Sequence, residues 1–172
     1  MSSSKLCFSA LLACCFVCSS AVIPFSAKPL GLAVPSPWII YTGSTPAGTF
    51  IRSTLKLPAD VKIDFIKWNL YLSADNSGSG TFKLTALYGE SQPNTNGFWN
   101  GGTQLEISGK CNVQSKSWKN NKPIMTLETD ALQSSIMLLK LDDNLLYFLG
   151  QNNDLLVGNG GFSYLLNRVN NK

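Results

Sequence analysis

From Trp38 onward, apolar and polar side chains alternate with a period of two over short runs, and clusters of Asn, Asp, Gly and Ser cut the runs apart. That is the pattern of half-buried β-strands, whose successive side chains point to opposite faces. Within residues 61–72, Ile66, Trp68, Leu70 and Leu72 share one face against Lys67, Asn69 and Tyr71. The turn signal Asp75-Asn-Ser-Gly-Ser-Gly80 follows, and Phe82, Leu84, Ala86 and Tyr88 then make the apolar face of a second strand. These two runs predict the best-formed hairpin of the chain. Residues 104–113 repeat the pattern, with Leu105, Ile107, Cys111 and Val113 inward and Glu106, Ser108, Lys110 and Asn112 outward. Ile51, Ser53, Leu55 and Leu57 alternate with Arg52, Thr54 and Lys56, which predicts a further strand. The last third is densest in such signals. Apolar runs at 135–141, 145–149, 155–157 and 162–168 are separated by Asp142-Asp143-Asn144, by 150–154 and by 158–161. Runs this short make poor amphipathic helices, and the polar clusters supply the positive φ angles that tight hairpins need.

Counting the runs predicts about nine or ten strands and no helix, with room for a helical turn only within 125–135. Strands joined consecutively by hairpins, each with one apolar face, remove their open edges by closing on themselves. The expected fold is therefore all-β: an antiparallel meander forming a closed or half-open barrel of about 8–10 strands, lipocalin-like in architecture. It occupies residues 38–169, with 170–172 as a tail. A barrel of this size either encloses one small apolar ligand or fills with its own side chains.

Residues 1–37 break the pattern. Lys5 and the amino terminus precede a twelve-residue apolar stretch at 6–17, and Ser19-Ser20-Ala21 offers small residues for cleavage, which predicts a signal peptide ending at Ala21. The apolar stretch is too short for a transmembrane helix, which needs about 20 residues. Four of the five cysteines, Cys7, Cys14, Cys15 and Cys18, lie in this segment. Leu11-Leu12-Ala13-Cys14 matches a bacterial lipidation signal, so Cys14 is the lipidation candidate, although Leu12 is bulky for it. Residues 22–37 hold four of the eight prolines, read as an extended arm because proline removes ladder donors. No Asn-X-Ser/Thr sequon occurs, which favours a bacterial envelope over a eukaryotic secretory origin.

Composition narrows the chemistry. The chain contains no histidine, which removes Ser-His-Asp and Cys-His catalysis together with the commonest metal ligand. The net charge of +4 is scattered along the chain, whereas nucleic-acid binding wants a basic patch or stripe. Beyond the signal only Cys111 remains, on an inward face, so no intramolecular disulfide is expected. Met125 and Met137 have no grouped spacing with it, and neither a metal nor another cofactor is implied. Asp142-Asp143 reads as hairpin chemistry, since adjacent carboxylates on a turn diverge. The loop at 75–80 lacks the acidic spacing of a calcium site. The long aperiodic stretch 89–102 carries Phe98 and Trp99, and a second polar loop carries Trp118. These three aromatics are the candidate contacts for a ligand or partner, the competing reading being a loop anchor tucked over the barrel mouth.

Three stretches carry a family resemblance. Tyr41-Thr-Gly43-Ser-Thr-Pro46, Gly80-Thr-Phe-Lys-Leu84 and the closing run 145–157 with Tyr164-Leu-Leu166 resemble the opening, central hairpin and closing strands of the NlpE-like family. That resemblance implies an envelope lipoprotein barrel linked to copper homeostasis and surface-stress sensing. Where the family carries Cys-x-x-Cys after the proline, this chain has Ala47-Gly-Thr-Phe50. The loss of both thiols argues against copper binding. The expected protein is thus an exported, non-enzymatic barrel of the bacterial periplasm, outer-membrane surface or extracellular space. It binds a small apolar ligand or an envelope protein and has no nucleic-acid partner. The alternatives are a small barrel enzyme using carboxylates and a purely structural surface protein.

Overall fold

The computed structural model describes residues 38–74, 78–114 and 122–169. The predicted signal segment with Ala21 and Cys14, the proline-rich arm, Trp118 and the 170–172 tail lie outside these residues. Eight antiparallel strands follow one another in chain order around a closed barrel. They are β1 (Ile39–Pro46), β2 (Phe65–Ala74), β3 (Ser79–Gly89), β4 (Thr103–Gln114), β5 (Ile124–Glu128), β6 (Ile136–Lys140), β7 (Leu145–Leu149) and β8 (Leu165–Val169). The ring closes where Ile40, Tyr41 and Thr42 of β1 pair with Val169, Arg168 and Asn167 of β8.

The predicted hairpin is present, with β2 and β3 in register from Phe65↔Gly89 to Ala74↔Gly80. Its inward residues are those that the alternation assigned. Ile66, Trp68, Leu70 and Leu72, and Phe82, Leu84, Ala86 and Tyr88, are all buried. Trp68 on β2 meets Phe148 on β7 with ring centroids 5.0 Å apart, although three strand-to-strand steps separate those strands around the ring. Leu70, Leu84, Leu127, Leu138, Leu146 and Leu166 pack into the same cluster. At this level the barrel is filled by its own side chains, as an eight-strand ring allows. Each such residue contributes about 1.5–3 kcal/mol through burial. Cys111 belongs to this core, as its inward parity predicted.

Two expectations are corrected. The run 51–57, predicted as a strand, instead carries the helix α1 (Thr49–Thr54). Ile51 and Leu55 are buried in either reading, because a spacing of four satisfies both periods. The third buried residue decides between them: it is Thr54, while Ser53 is exposed. The helix ends at Thr54 with Leu55 as its cap, and Lys56, with a φ of 54°, then reverses the chain. Lys56 N–H then donates to Ser53 O and Leu57 N–H to Arg52 O, the paired bonds of a Schellman ending. Packing against the barrel end overrides local alternation here. Residues 155–157, predicted as a strand, make only the isolated bridge Leu149↔Leu155. The place beside β7 is taken by β6 on one side and β8 on the other, so residues 155–157 cannot enter there as a ninth strand.

The turn at 142–144 is as read from the sequence, while residues 75–77 of the 75–80 turn lie outside the described residues. Asn144 N–H donates to Asp142 Oδ1 at 2.7 Å, and Lys140 pairs with Asp143 at 2.7 Å, so the two aspartates shape the β6–β7 turn. Among the described residues no helix is long and apolar enough to cross a membrane.

Candidate functional site

The strand period that sends Ile66 and Trp68 inward sends Phe65 and Lys67 to the outer wall. Phe65 is nonetheless buried, at 6% exposure, because two loops fold over it. Phe98, from the connection between β3 and β4, lies 4.4 Å from its ring centroid, and Phe162, ahead of β8, stacks at 4.6 Å and 18°. Lys67 Nζ stands 5.9 Å from the Phe65 ring and 5.6 Å from the Phe98 ring. It also donates to the carbonyl of Asn96. This geometry holds a cation against aromatic faces without removing it from solvent.

The loop that brings Phe98 is itself ordered. Ser91 and Phe98 form a bridge at its neck. Gln92 N–H donates to Gly97 O at 3.1 Å, and Thr95 Oγ1 caps the tip by accepting from Gly97 N–H at 3.0 Å. Asp64, just before β2, ties the neck to the barrel by accepting from Ser91 Oγ at 2.6 Å and from Ser91 N–H at 2.8 Å. The Ser91 hydroxyl first, and then its backbone N–H, hold the Asp64 carboxyl below the usual carboxylate range.

Between these loops and the outer face of β1 and β2 lies a groove of about 470 Å³. Phe65 and Phe162 line its apolar side, while Lys67, Asp64, Ser44 and Asn96 supply polar groups. It continues down the wall past Thr42 and Asn69 as a shallower depression of about 320 Å³. The volume falls within the ordinary range of small-molecule sites, and an aromatic side facing one ammonium, one carboxylate and a few neutral polar groups suits a ring-bearing ligand with a polar substituent.

Chemically the groove offers apolar ring surface, one ammonium and one carboxylate. Its one hydroxyl–carboxylate contact is Ser91 to Asp64, and a carboxylate whose pKa is lowered is a weaker base, so this pair is poorly suited to activating a nucleophile. Among the described residues no three His, Cys, Asp or Glu side chains group as a metal site.

Of the predicted contact residues, the structure separates the two neighbours in sequence. Phe98 is buried at 3% exposure as the loop anchor, its ring tilted against Phe65, and it does not line the groove. Trp99 is 52% exposed and does not line the groove. Trp118 lies outside the described residues. Phe162, Phe65 and Lys67 went unrecognised as site residues in the sequence. The only signal was that Phe65 breaks the apolar-in alternation by standing next to Ile66. No family model matches the chain, and no curated protein or solved structure matches it either.

Proposed function

We propose that this protein is an exported, non-enzymatic binding barrel of the bacterial cell envelope, NlpE-like in type but without copper chemistry. It holds a small apolar, ring-bearing ligand, or a side chain of an envelope partner, in the outer-wall groove over Phe65. The observation that carries the reading is the stacked Phe65–Phe162 pair beside the Lys67 ammonium in an accessible groove, while Trp68 and Phe148 occupy the lumen. Binding in the lumen would require displacing well-packed core side chains, at several kcal/mol. Binding on the wall requires nothing of the core.

The envelope address rests on the signal-like segment and on the opening and closing motifs. The exclusion of copper rests on Ala47 and Phe50, which stand at the family's thiol positions and pack as half-buried apolar residues against the barrel core. Against an enzymatic role stand the missing histidine and the lowered pKa of the one carboxylate in the groove.

The test uses 1-anilinonaphthalene-8-sulfonate, a probe with apolar rings and one anionic group. Saturable fluorescence enhancement on the native protein is expected, with affinity reduced at least about tenfold by Lys67→Ala combined with Phe162→Ala, a loss of about 1.4 kcal/mol. Absence of enhancement, or enhancement indifferent to both substitutions, overturns the site. Mass spectrometry of the mature N-terminus tests export separately, through cleavage after Ala21 or lipidation at Cys14.

A further inference from the structure

The barrel is uneven, and among the described residues one stretch of strand edge has no pairing partner. β4 runs twelve residues, from Thr103 to Gln114, and pairs with β3 along Thr103–Asn112. Its other neighbour, β5, is only five residues long and begins its pairing at Lys110↔Glu128. Above that level, no described residue lies in register with residues 103–109 on the β5 side.

The direction of the unpaired groups follows from the ladder. Val113 N–H donates to Gly78 O at 3.1 Å, so the odd residues of β4 turn their backbone groups toward β3. The even residues, Gln104, Glu106 and Ser108, turn theirs outward, and no backbone partner among the described residues meets them. All three are exposed. Beside them a depression of about 400 Å³ is lined by Lys83, Glu106, Ile107 and Ser108. An uncovered edge of this kind is a template for another strand.

We propose that two copies of this chain pair edge to edge through the upper half of β4, antiparallel about a two-fold axis at Leu105. The partner is a second copy because the edge is complementary to itself with the axis at Leu105. Residues opposite each other in an antiparallel pair share a face, so the axis must pass through a residue for the apolar side to stay inward. An axis at Glu106 sets two carboxylates directly opposite, which is destabilising. An axis at Ile107 sets Gln104 of one copy opposite Lys110 of the other, whose edge Glu128 already occupies. The axis at Leu105 sets Gln104 of each copy opposite Glu106 of the other. Gln104 Nε2 already donates to Glu106 Oε1 at 2.8 Å within the strand, so the cross-strand pair repeats a match that the chain already makes. In this register the two residues also exchange their edge-facing N–H···O bonds. The pairing does not involve the groove over Phe65 and stands or falls separately from it.

The test is sedimentation velocity on the purified protein together with cysteine cross-linking. A concentration-dependent dimer is expected. Under mild oxidation Leu105→Cys becomes a covalent dimer, because residues facing each other across a non-hydrogen-bonded pair have Cα atoms about 4.5 Å apart, within disulfide reach. Glu106→Cys does not, and Cys111 contributes nothing because it is buried. Glu106→Pro, which removes an edge-facing donor, sediments as a monomer with unchanged near-UV circular dichroism. A wild-type protein that stays monomeric at every concentration overturns the proposal. So does a dimer that cross-links through Glu106→Cys in place of Leu105→Cys, which would identify a different register.

Discussion

Trp68 Nε1 donates a hydrogen bond to Thr45 Oγ1 at 2.9 Å in the barrel interior, with both side chains at or below 1% exposure. The bond joins β2 to β1 and settles the one polar atom of the largest core side chain. A buried indole N–H without a partner carries a desolvation cost of about 1–3 kcal/mol. Thr45→Val keeps the shape and removes the acceptor, so it is expected to lower the unfolding free energy by about that amount. Thr45→Ser, which keeps the hydroxyl, should recover most of it. Urea denaturation of the two variants checks the difference, and equal losses would assign the cost to packing.

Gly43 marks the closure of the ring. A Cβ placed there would stand 2.3 Å from Leu165 O and 2.9 Å from Leu166 Cδ2. The obstruction is backbone, which cannot swing aside as a side chain would, so Gly43→Ala forces β1 and β8 apart. The expected destabilisation is at least about 1–3 kcal/mol, the usual range for overpacking. Hydrogen exchange should show β8 amides losing protection before those of β2 and β3. Uniform loss across all strands would count against a local opening.

Phe98 and Trp99 make a contrast between neighbours. Phe98→Ala removes a ring buried against Phe65 and is expected to cost about 3 kcal/mol or more. Trp99→Ala removes a half-exposed side chain and should leave stability within about 0.5 kcal/mol. Thermal unfolding of both variants decides the matter, and a large loss from Trp99→Ala would mean that the indole packs in solution.

Asp64 gives the loop neck a pH dependence. Its carboxyl is held below the ordinary value near 4 by Ser91, so the folded state favours the charged form. Its contribution to stability is therefore present above that ordinary value and drains away as the pH falls through the folded one. Asp64→Asn should be less stable than wild type at pH 7, and the gap should narrow as the pH drops from about 5 toward about 2. Denaturant midpoints measured at both ends test this, and a gap independent of pH would remove the charge from the explanation.

Much of the barrel was legible because a strand's period of two depends on backbone geometry alone. Ile66, Trp68, Leu70 and Leu72 declared their face in the sequence and are buried in the structure. The turn at Asp142-Asp143-Asn144 was equally plain, since its side chains bond locally. The helix at Thr49–Thr54 was not, because Ile51 and Leu55 fit both periods and only packing chooses between them. The groove was illegible for a different reason. Phe65, Phe98 and Phe162 lie far apart in sequence, and no local rule says that their rings meet.

The sequence by itself therefore determined the all-β class, the hairpins of β2–β3 and β6–β7 and the inward faces of their strands, all of which follow from local periodicity and turn chemistry. Tertiary structure decided that the ring closes at eight, that its lumen is filled at the level of Trp68 and Phe148, and that an outer-wall site is assembled from Phe65, Lys67 and Phe162. It also decided that, among the described residues, the upper half of β4 has β3 on one side and no paired strand on the other, because the β5 ladder ends where Glu128 meets Lys110. Strand lengths relative to one another, and contacts between residues distant in the chain, are set by how the whole sheet closes. No single run of residues encodes them.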